Sequence, residues 1–329
     1  MSHIGIIVNP AAGRDIRRLT GGASVVDNHT KRRIAECVLA GLTLLPDPPT
    51  VTLMPDNAGI AANIVKNAPK DVSVELLDMS ITGSATDTRR AAERFRTEAD
   101  SLVVLGGDGT SRDAALECGD VPLLSVSTGT NNVVPSAIDG TVAGAAAALV
   151  ATDAVDNESV TYHHGMVEAQ TESGDSVTGL AAVELSDRSF VGTRALLDPD
   201  ELLGGIVSRA SPSEIGLSGI AGALGPLEPS TPDAIGLCLA DAEMSEHTVR
   251  AIVAPGVTTS VGIEEYRQLS NGESMTIEIS EGVIGADGER ELEITDETVE
   301  FRPVPDGPRL VSFEAVFERA ARSGVLSNG

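Results

Sequence analysis

The feature that most constrains this chain is a junction. Ser101-Leu102-Val103-Val104-Leu105, an apolar run of strand length, passes directly into Gly106-Gly107-Asp108-Gly109-Thr110, and a segment of helical period begins at once. A continuous apolar strand reads as one buried on both faces, in a parallel sheet covered by helices. Glycines at its end permit positive φ and let backbone N–H groups approach an anion with no Cβ in the way. The following helix adds the positive end of its dipole. Strand, glycine turn and helix in this order read as a phosphate site at the carboxyl edge of an open α/β sheet, where ligands of such folds bind. As a bare pattern the turn also fits a tight strand-to-helix connection, since Gly and Asp are ordinary turn formers.

The rest of the first half repeats the alternation. Residues 4–8, 50–54, 72–77 and 123–126 have the composition of strands, and residues 30–42, 60–66, 86–98, 110–117 and 140–151 the period of helices, the third with Thr86 or Asp87 near its N-cap. Two more loops follow strands in this series: Asn9-Pro10-Ala11-Ala12-Gly13 after the first, and Ser127-Thr128-Gly129-Thr130-Asn131-Asn132 after the fifth. Parallel strands place all three loops on one edge of the sheet, so they converge on one site.

From about residue 159 the texture changes to closely spaced strands without intervening helices: Val160-Thr161-Tyr162, then 166–171, 177–183, 234–239, 248–253, 257–263, 274–279, 282–286, 291–294 and 297–302. That spacing predicts a mainly β second domain. Residues 196–232, rich in Gly, Ser and Pro, are expected to hold a helix or two, and residues 312–322 carry Phe313, Val316, Phe317 and Ala320 at helical spacing. A length of 329 residues exceeds the usual size of one core. The expected division is an α/β domain carrying the phosphate site at 1–152, a β-rich domain at 153–305, and a C-terminal helical segment at 306–329 packing back on the domains.

Acidic residues number 49 against 23 Lys plus Arg, a net charge of −26, and Lys31, Lys66 and Lys70 are the only lysines. Such a surface repels nucleic acid and anionic lipid, so no nucleic-acid partner and no stable membrane association are expected. Hydrated carboxylates of this density suit a salt-rich, halophilic cytoplasm, where repulsion is screened. Cys37, Cys118 and Cys238 form no Cys-x-x-Cys pair, which gives neither a zinc site nor a disulfide framework. His163 and His164 are adjacent and so point apart, which makes them an improbable metal pair. The N-terminus lacks the features of a signal peptide, and the apolar stretch around 142–150 is too short to span a bilayer. A cytoplasmic protein is expected, with its oligomeric state undecided and a homo-oligomer open.

Asn9-Pro10-x-x-Gly13, Gly106-Gly107-Asp108-Gly109-Thr110 and Gly129-Thr130-x-Asn132, in that order, resemble the superfamily that joins NAD kinases, diacylglycerol kinases and sphingosine-type lipid kinases. Gly285-Ala286-Asp287-Gly288-Glu289 resembles the Asp-Gly-Glu element that the lipid kinases place beside the phosphates, although Asp-Gly between strands is also a strong hairpin signal. Within the superfamily the chain is most similar to the AcoX-like branch labelled ATP-NAD kinase, through residues 106–113, Phe190-Val191-Gly192-Thr193-Arg194-Ala195 and Ser211-Pro212-x-x-Ile215-Gly216-Leu217-Ser218. It departs from NAD kinases in having no clear counterpart, after the first domain, of the Asn-Glu pair with which they hold the NAD ribose. The resemblance implies an N-terminal α/β domain with a parallel sheet and a C-terminal β-sandwich. The Gly-x-x-x-x-Gly-Lys-Ser/Thr phosphate loop and the third glycine of the dinucleotide fingerprint are both absent.

The implied activity is an ATP-dependent kinase using ATP and Mg²⁺, its small-molecule acceptor NAD by family label. A different hydroxylated metabolite, a lipid, or a non-catalytic nucleotide-binding regulator remain open. Asn9, Pro10, Gly13, Gly106, Gly107, Gly109, Thr110, Gly129, Thr130, Asn132 and Asp287 are the expected nucleotide-site residues. Phosphoryl transfer needs charge neutralisation, alignment and a group to handle the acceptor hydroxyl. Asp108 could accept the proton or hold Mg²⁺ through water, whereas the lipid-kinase resemblance gives the base role to Glu289, with Asp287 acting through metal-bound water. Arg14, Arg112, Arg194 and Arg209 are the arginines in or near these motifs, open to a phosphate contact or a surface ion pair.

Overall fold

The computed structural model describes residues 2–12, 27–129, 132–187, 201–254 and 256–327. Strands β1 (His3–Val8), β2 (Thr50–Leu53), β3 (Val74–Leu76), β4 (Ser101–Gly106) and β5 (Leu123–Ser127) form a parallel sheet in the order β3-β2-β1-β4-β5. Every residue of β4 is buried, as its unbroken apolar run requires. On one face lie helices α1 (Asn28–Leu42) and α5 (Gly140–Ala151), in one core with Ile4, Ile6, Val103 and Leu105. On the other lie α3 (Ala85–Glu98) and α4 (Asp108–Ala115), whose Phe95 and Ala114 pack with Ile7, Leu102 and Val104. Helix α2 (Ile60–Lys66) links β2 to β3 on the first of these faces.

With few aromatics to fill space, α1 and α5 approach closely through glycine. A Cβ on Gly144 would stand 1.9 Å from the Val38 carbonyl oxygen, and one on Gly41 would stand 2.1 Å from that of Thr141. Side-chain caps fix the entry of each helix: Asp27 accepts from the Thr30 N–H and Asp139 from the Thr141 N–H. At α3 the expected cap is displaced. Ser84 takes the N-cap position, while the Asp87 carboxylate turns back onto the N–H groups of Thr82 and Gly83.

The second half forms one antiparallel sheet in the order β12-β13-β11-β10-β9-β14-β15-β7-β8. Its members are β7 (Met166–Thr171), β8 (Ser176–Gly179), β9 (Ala182–Ser186), β10 (Leu202–Val207), β11 (Ala234–Ala240), β12 (Thr248–Ala254), β13 (Val257–Leu269), β14 (Met275–Ala286) and β15 (Glu289–Val304). Residues from β7, β14 and β15 share a core with others from β9, β10 and β11, so the sheet curls over itself as a sandwich would. The runs 274–279 and 282–286 are one strand, β14, and 291–294 and 297–302 are one strand, β15. In contrast, 177–183 divides between β8 and β9. Residues 201–232 hold β10 as well as a helix, α7 (Leu217–Leu224), which follows the short α6 (Asn157–Val160) in the chain.

Two segments cross back to the first domain. Strand β6 (Thr161–His163), which its position had placed with the second domain, joins the first sheet beside β16 (Arg309–Val311), itself parallel to β5. Helix α8 (Phe313–Ser323), the predicted C-terminal helix, then buries Phe313, Val316 and Ala320 in the core of α1 and α5. His163 is exposed and His164 buried, so the two rings do face apart. Burial pushes the His164 imidazole down to about 4.

Candidate functional site

Strand β4 ends at Gly106 and Gly107 caps α4, so Asp108, Gly109 and Thr110 form the first turn of that helix with its N–H groups at the sheet's carboxyl edge. Thr110 lies so close that a Cβ on Gly106 would meet its side chain at 2.6 Å. The Asn9 side-chain amide donates to Thr110 Oγ1 at 2.8 Å, and Asn9 Oδ1 accepts from the Ala11 N–H. The loop after β1 is thereby tied to the glycine turn. Beneath it the buried Lys31 ammonium donates to the carbonyls of Asn9 and Pro10. From β5, Ser127 Oγ accepts from the Asn132 amide at 2.6 Å and donates to the Gly129 carbonyl. Asn132 Oδ1 then stands 3.1 Å from where a Cβ of Gly107 would be. Asn9, Pro10, Gly106, Gly107, Gly109, Thr110, Gly129 and Asn132 thus share one edge of the sheet. Gly13, Thr130, Arg14 and Arg194, and the segment 190–195, lie outside the described residues.

The carboxylates have distinct surroundings. Asp108 accepts from the N–H groups of Val133 and Val134 at 2.8 to 3.0 Å, which fastens the Asn132 loop to α4. Desolvation, aided by repulsion from Asp287, outweighs those bonds and pushes Asp108 up to about 7. Asp287 and Gly288 form the two-residue turn of the β14–β15 hairpin, with φ of 50° and 78° and Ala286 paired to Glu289. The Asp287 carboxylate accepts from Leu180, Ala181 and Ala182 N–H groups, so in this geometry it fastens the 180–182 turn. Desolvation raises its pKa against the opposing pull of Arg112 and those amides. Glu289 is different: its side chain is 48% exposed, and its Oε1 lies 2.5 Å from the point a Gly109 Cβ would occupy. The hairpin turn read from Asp-Gly is present, and it brings Glu289 against the first turn of α4.

The guanidinium of Arg112 is engaged by protein groups. Arg112 is 2% exposed and spends its donors across the domain boundary, Nη1 on the Ala286 carbonyl and Nη2 on Glu289 and Glu291. Burial disfavours its charge, but Asp287, Glu291, Asp113 and Glu289 hold it protonated. Arg209 donates from Nε and Nη2 to Glu214 Oε1 and lowers Asp108 through its charge. Lys31, Glu291 and the amides of 133–134 and 180–182 are not assigned to the site from the sequence. Only Lys31 carried a signal, as one of three lysines. No cluster of three or more His, Cys, Asp or Glu side chains fit to hold a metal occurs among the described residues. None of the described helices is long and apolar enough to cross a membrane.

Residues 4–154 match the ATP-NAD kinase N-terminal domain family, and residues 165–306 match the acetoin catabolism protein X C-terminal domain. The chain is 33% identical over 304 residues to acetoin catabolism protein X of Cupriavidus necator, an alignment spanning 88% of this chain and 84% of that protein. Its fold is similar to that of yeast NADH kinase solved with NADH, with a TM-score of 0.53 at 14% identity over 100% of this chain and 88% of that one. That identity speaks for the fold alone. An NAD kinase-like α/β domain, joined through Arg112 to a nine-stranded antiparallel domain, and the extent of the C. necator alignment place the chain in the acetoin catabolism protein X family.

Proposed function

We propose that this protein is an ATP-dependent kinase of a small hydroxylated acceptor, with ATP at the α4 turn and the acceptor between that turn and the β14–β15 hairpin. The observation that carries the reading is the placement of Glu289 from the second domain against Gly109, in the first turn of the helix that would bind the phosphates. A half-exposed carboxylate there can take the acceptor's hydroxyl proton as oxygen attacks the γ-phosphorus and ADP leaves. Backbone N–H groups of the glycine turn and the α4 dipole stabilise the phosphate charge. Without a Cβ, Gly109 admits the Glu289 carboxylate and Gly107 the Asn132 side chain at this turn.

Asp108 and Asp287 then serve as fasteners of the site's walls, their oxygens being engaged by backbone amides. Glu291 is likewise engaged, by Arg112. Mg²⁺ is read as arriving with ATP, where it neutralises phosphate charge.

NAD is the acceptor that the first domain's family label favours. The second domain matches the acetoin catabolism protein X type, which favours another small hydroxylated metabolite. ADP release from ATP and Mg²⁺ should be measured in molar KCl against NAD and a panel of hydroxyketones and polyols. Acceptor-dependent ADP with NADP formed selects the first acceptor; ADP with a different phosphorylated product selects the second. ATP binding without turnover on any acceptor would replace the kinase with a nucleotide-binding regulator. Gly107→Val should abolish ATP binding while the circular dichroism spectrum persists.

A further inference from the structure

We propose that Arg112 is the positioning residue for Glu289, holding that carboxylate on the first turn of α4 so that the site is complete only when the second domain's hairpin is seated. The role rests on the kinase reading of Glu289.

Arg112 stands one turn beyond Gly109, on the same helix and on the same side as the turn Glu289 touches. Its guanidinium grips the hairpin at three points: the Ala286 carbonyl at 2.9 Å, Glu289 Oε2 at 3.2 Å and Glu291 Oε1 at 2.5 Å. Ala286 and Glu291 flank Glu289 along the hairpin, so main chain and side chain are fixed together. The planar fork suits this task, because its donors diverge at set angles and an ammonium would offer one point charge instead. Nε has no partner and the group is 2% exposed, so its energetic balance rests on these contacts with the hairpin and on nearby Asp113 and Asp287.

The grip takes Glu289 by Oε2, while Oε1 lies beside Gly109. Arg112 therefore constrains the carboxylate at the edge where an acceptor hydroxyl would approach. Arg112 acts through these contacts with the hairpin.

The test uses the full chain and Arg112→Lys, which keeps the buried charge and so the best prospect of folding, in wild-type and Glu289→Gln backgrounds. Melting curves and ATP affinity are recorded for each protein. Arg112→Lys should lower kcat by roughly 10 to 100-fold, the scale expected when a reacting group is displaced by about 1 Å. ATP affinity should stay within about 2-fold, and the same substitution should lower kcat less than about 2-fold once Glu289 is Gln, because coupled groups are not additive. Equal losses in both backgrounds, or a loss in ATP affinity that matches the loss in kcat, would overturn the assignment and leave Arg112 a structural ion-pair partner. A second readout does not need turnover: the side-chain carboxyl ¹³C signal of Glu289, identified by its absence in Glu289→Gln, should shift in Arg112→Lys. An unmoved signal refutes the positioning role, whereas a shifted signal in a protein with no kinase activity supports it and removes only the kinase reading.

Discussion

Gly109→Ala tests the site with a single carbon. The new Cβ would lie 2.5 Å from Glu289 Oε1, 2.6 Å from its Cδ and 3.0 Å from its Oε2, where ordinary contact begins at 3.4 Å. The carboxylate must retreat by about 0.9 Å, since the Gly109 Cβ is fixed to a helix and Glu289 is the flexible, half-exposed partner. Retreat lengthens the 3.2 Å bond from Arg112 and moves the proposed base off the phosphate turn. A displacement of that size costs on the order of 100-fold in kcat. Stability should change little. Gly109 is helical without positive φ, so Ala adds up to about 1 kcal/mol of helix propensity against the modest cost of moving one side chain. Steady-state kinetics with the acceptor found by ADP release, ATP titration and thermal melting form the assay. Wild-type kcat in a folded Gly109→Ala protein would refute the placement of Glu289 as base.

Three further outcomes follow from other parts of the molecule. Gly144→Ala puts a Cβ 1.9 Å from the Val38 carbonyl, a backbone atom that yields only if two helices part, so urea unfolding should show a loss of about 3 kcal/mol or more; an unchanged midpoint would refute the close α1–α5 contact. Asp108, raised to about 7 in the folded chain against 3.8 as its ordinary value, contributes stability that is full below pH 4 and lost as pH rises through 7. Wild type should therefore lose stability relative to Asp108→Asn between pH 4 and pH 8, by a few kcal/mol at most, and a relative gain over that range would mean the amide bonds outweigh desolvation. Asp287→Ala removes the acceptor for three backbone N–H groups at a position of positive φ and should cost about 1–3 kcal/mol in denaturant; a stable variant would show that water replaces the carboxylate at no cost.

Local rules determined much of this protein. The apolar run 101–105 reads as a buried strand, the glycines after it as a turn, and the alternation of the first half as a parallel sheet with its three loops on one edge. Asp287-Gly288 announced its hairpin because few other residues adopt positive φ in succession. Tertiary structure alone decided how those pieces meet. Arg112 and Glu291 are 179 residues apart in the chain, and nothing in either neighbourhood marks them as partners. The same holds for Asp108, whose amide partners lie 25 and 26 residues away on another loop, and for Lys31 beneath the Asn9-Pro10 carbonyls. Strand β16 has three residues, too few for a period, and acquires its identity from an unpaired place beside β5. Periodicity and turn chemistry act over a few residues and are written in the sequence, whereas burial and charge compensation act between surfaces and exist only once the chain has brought them together.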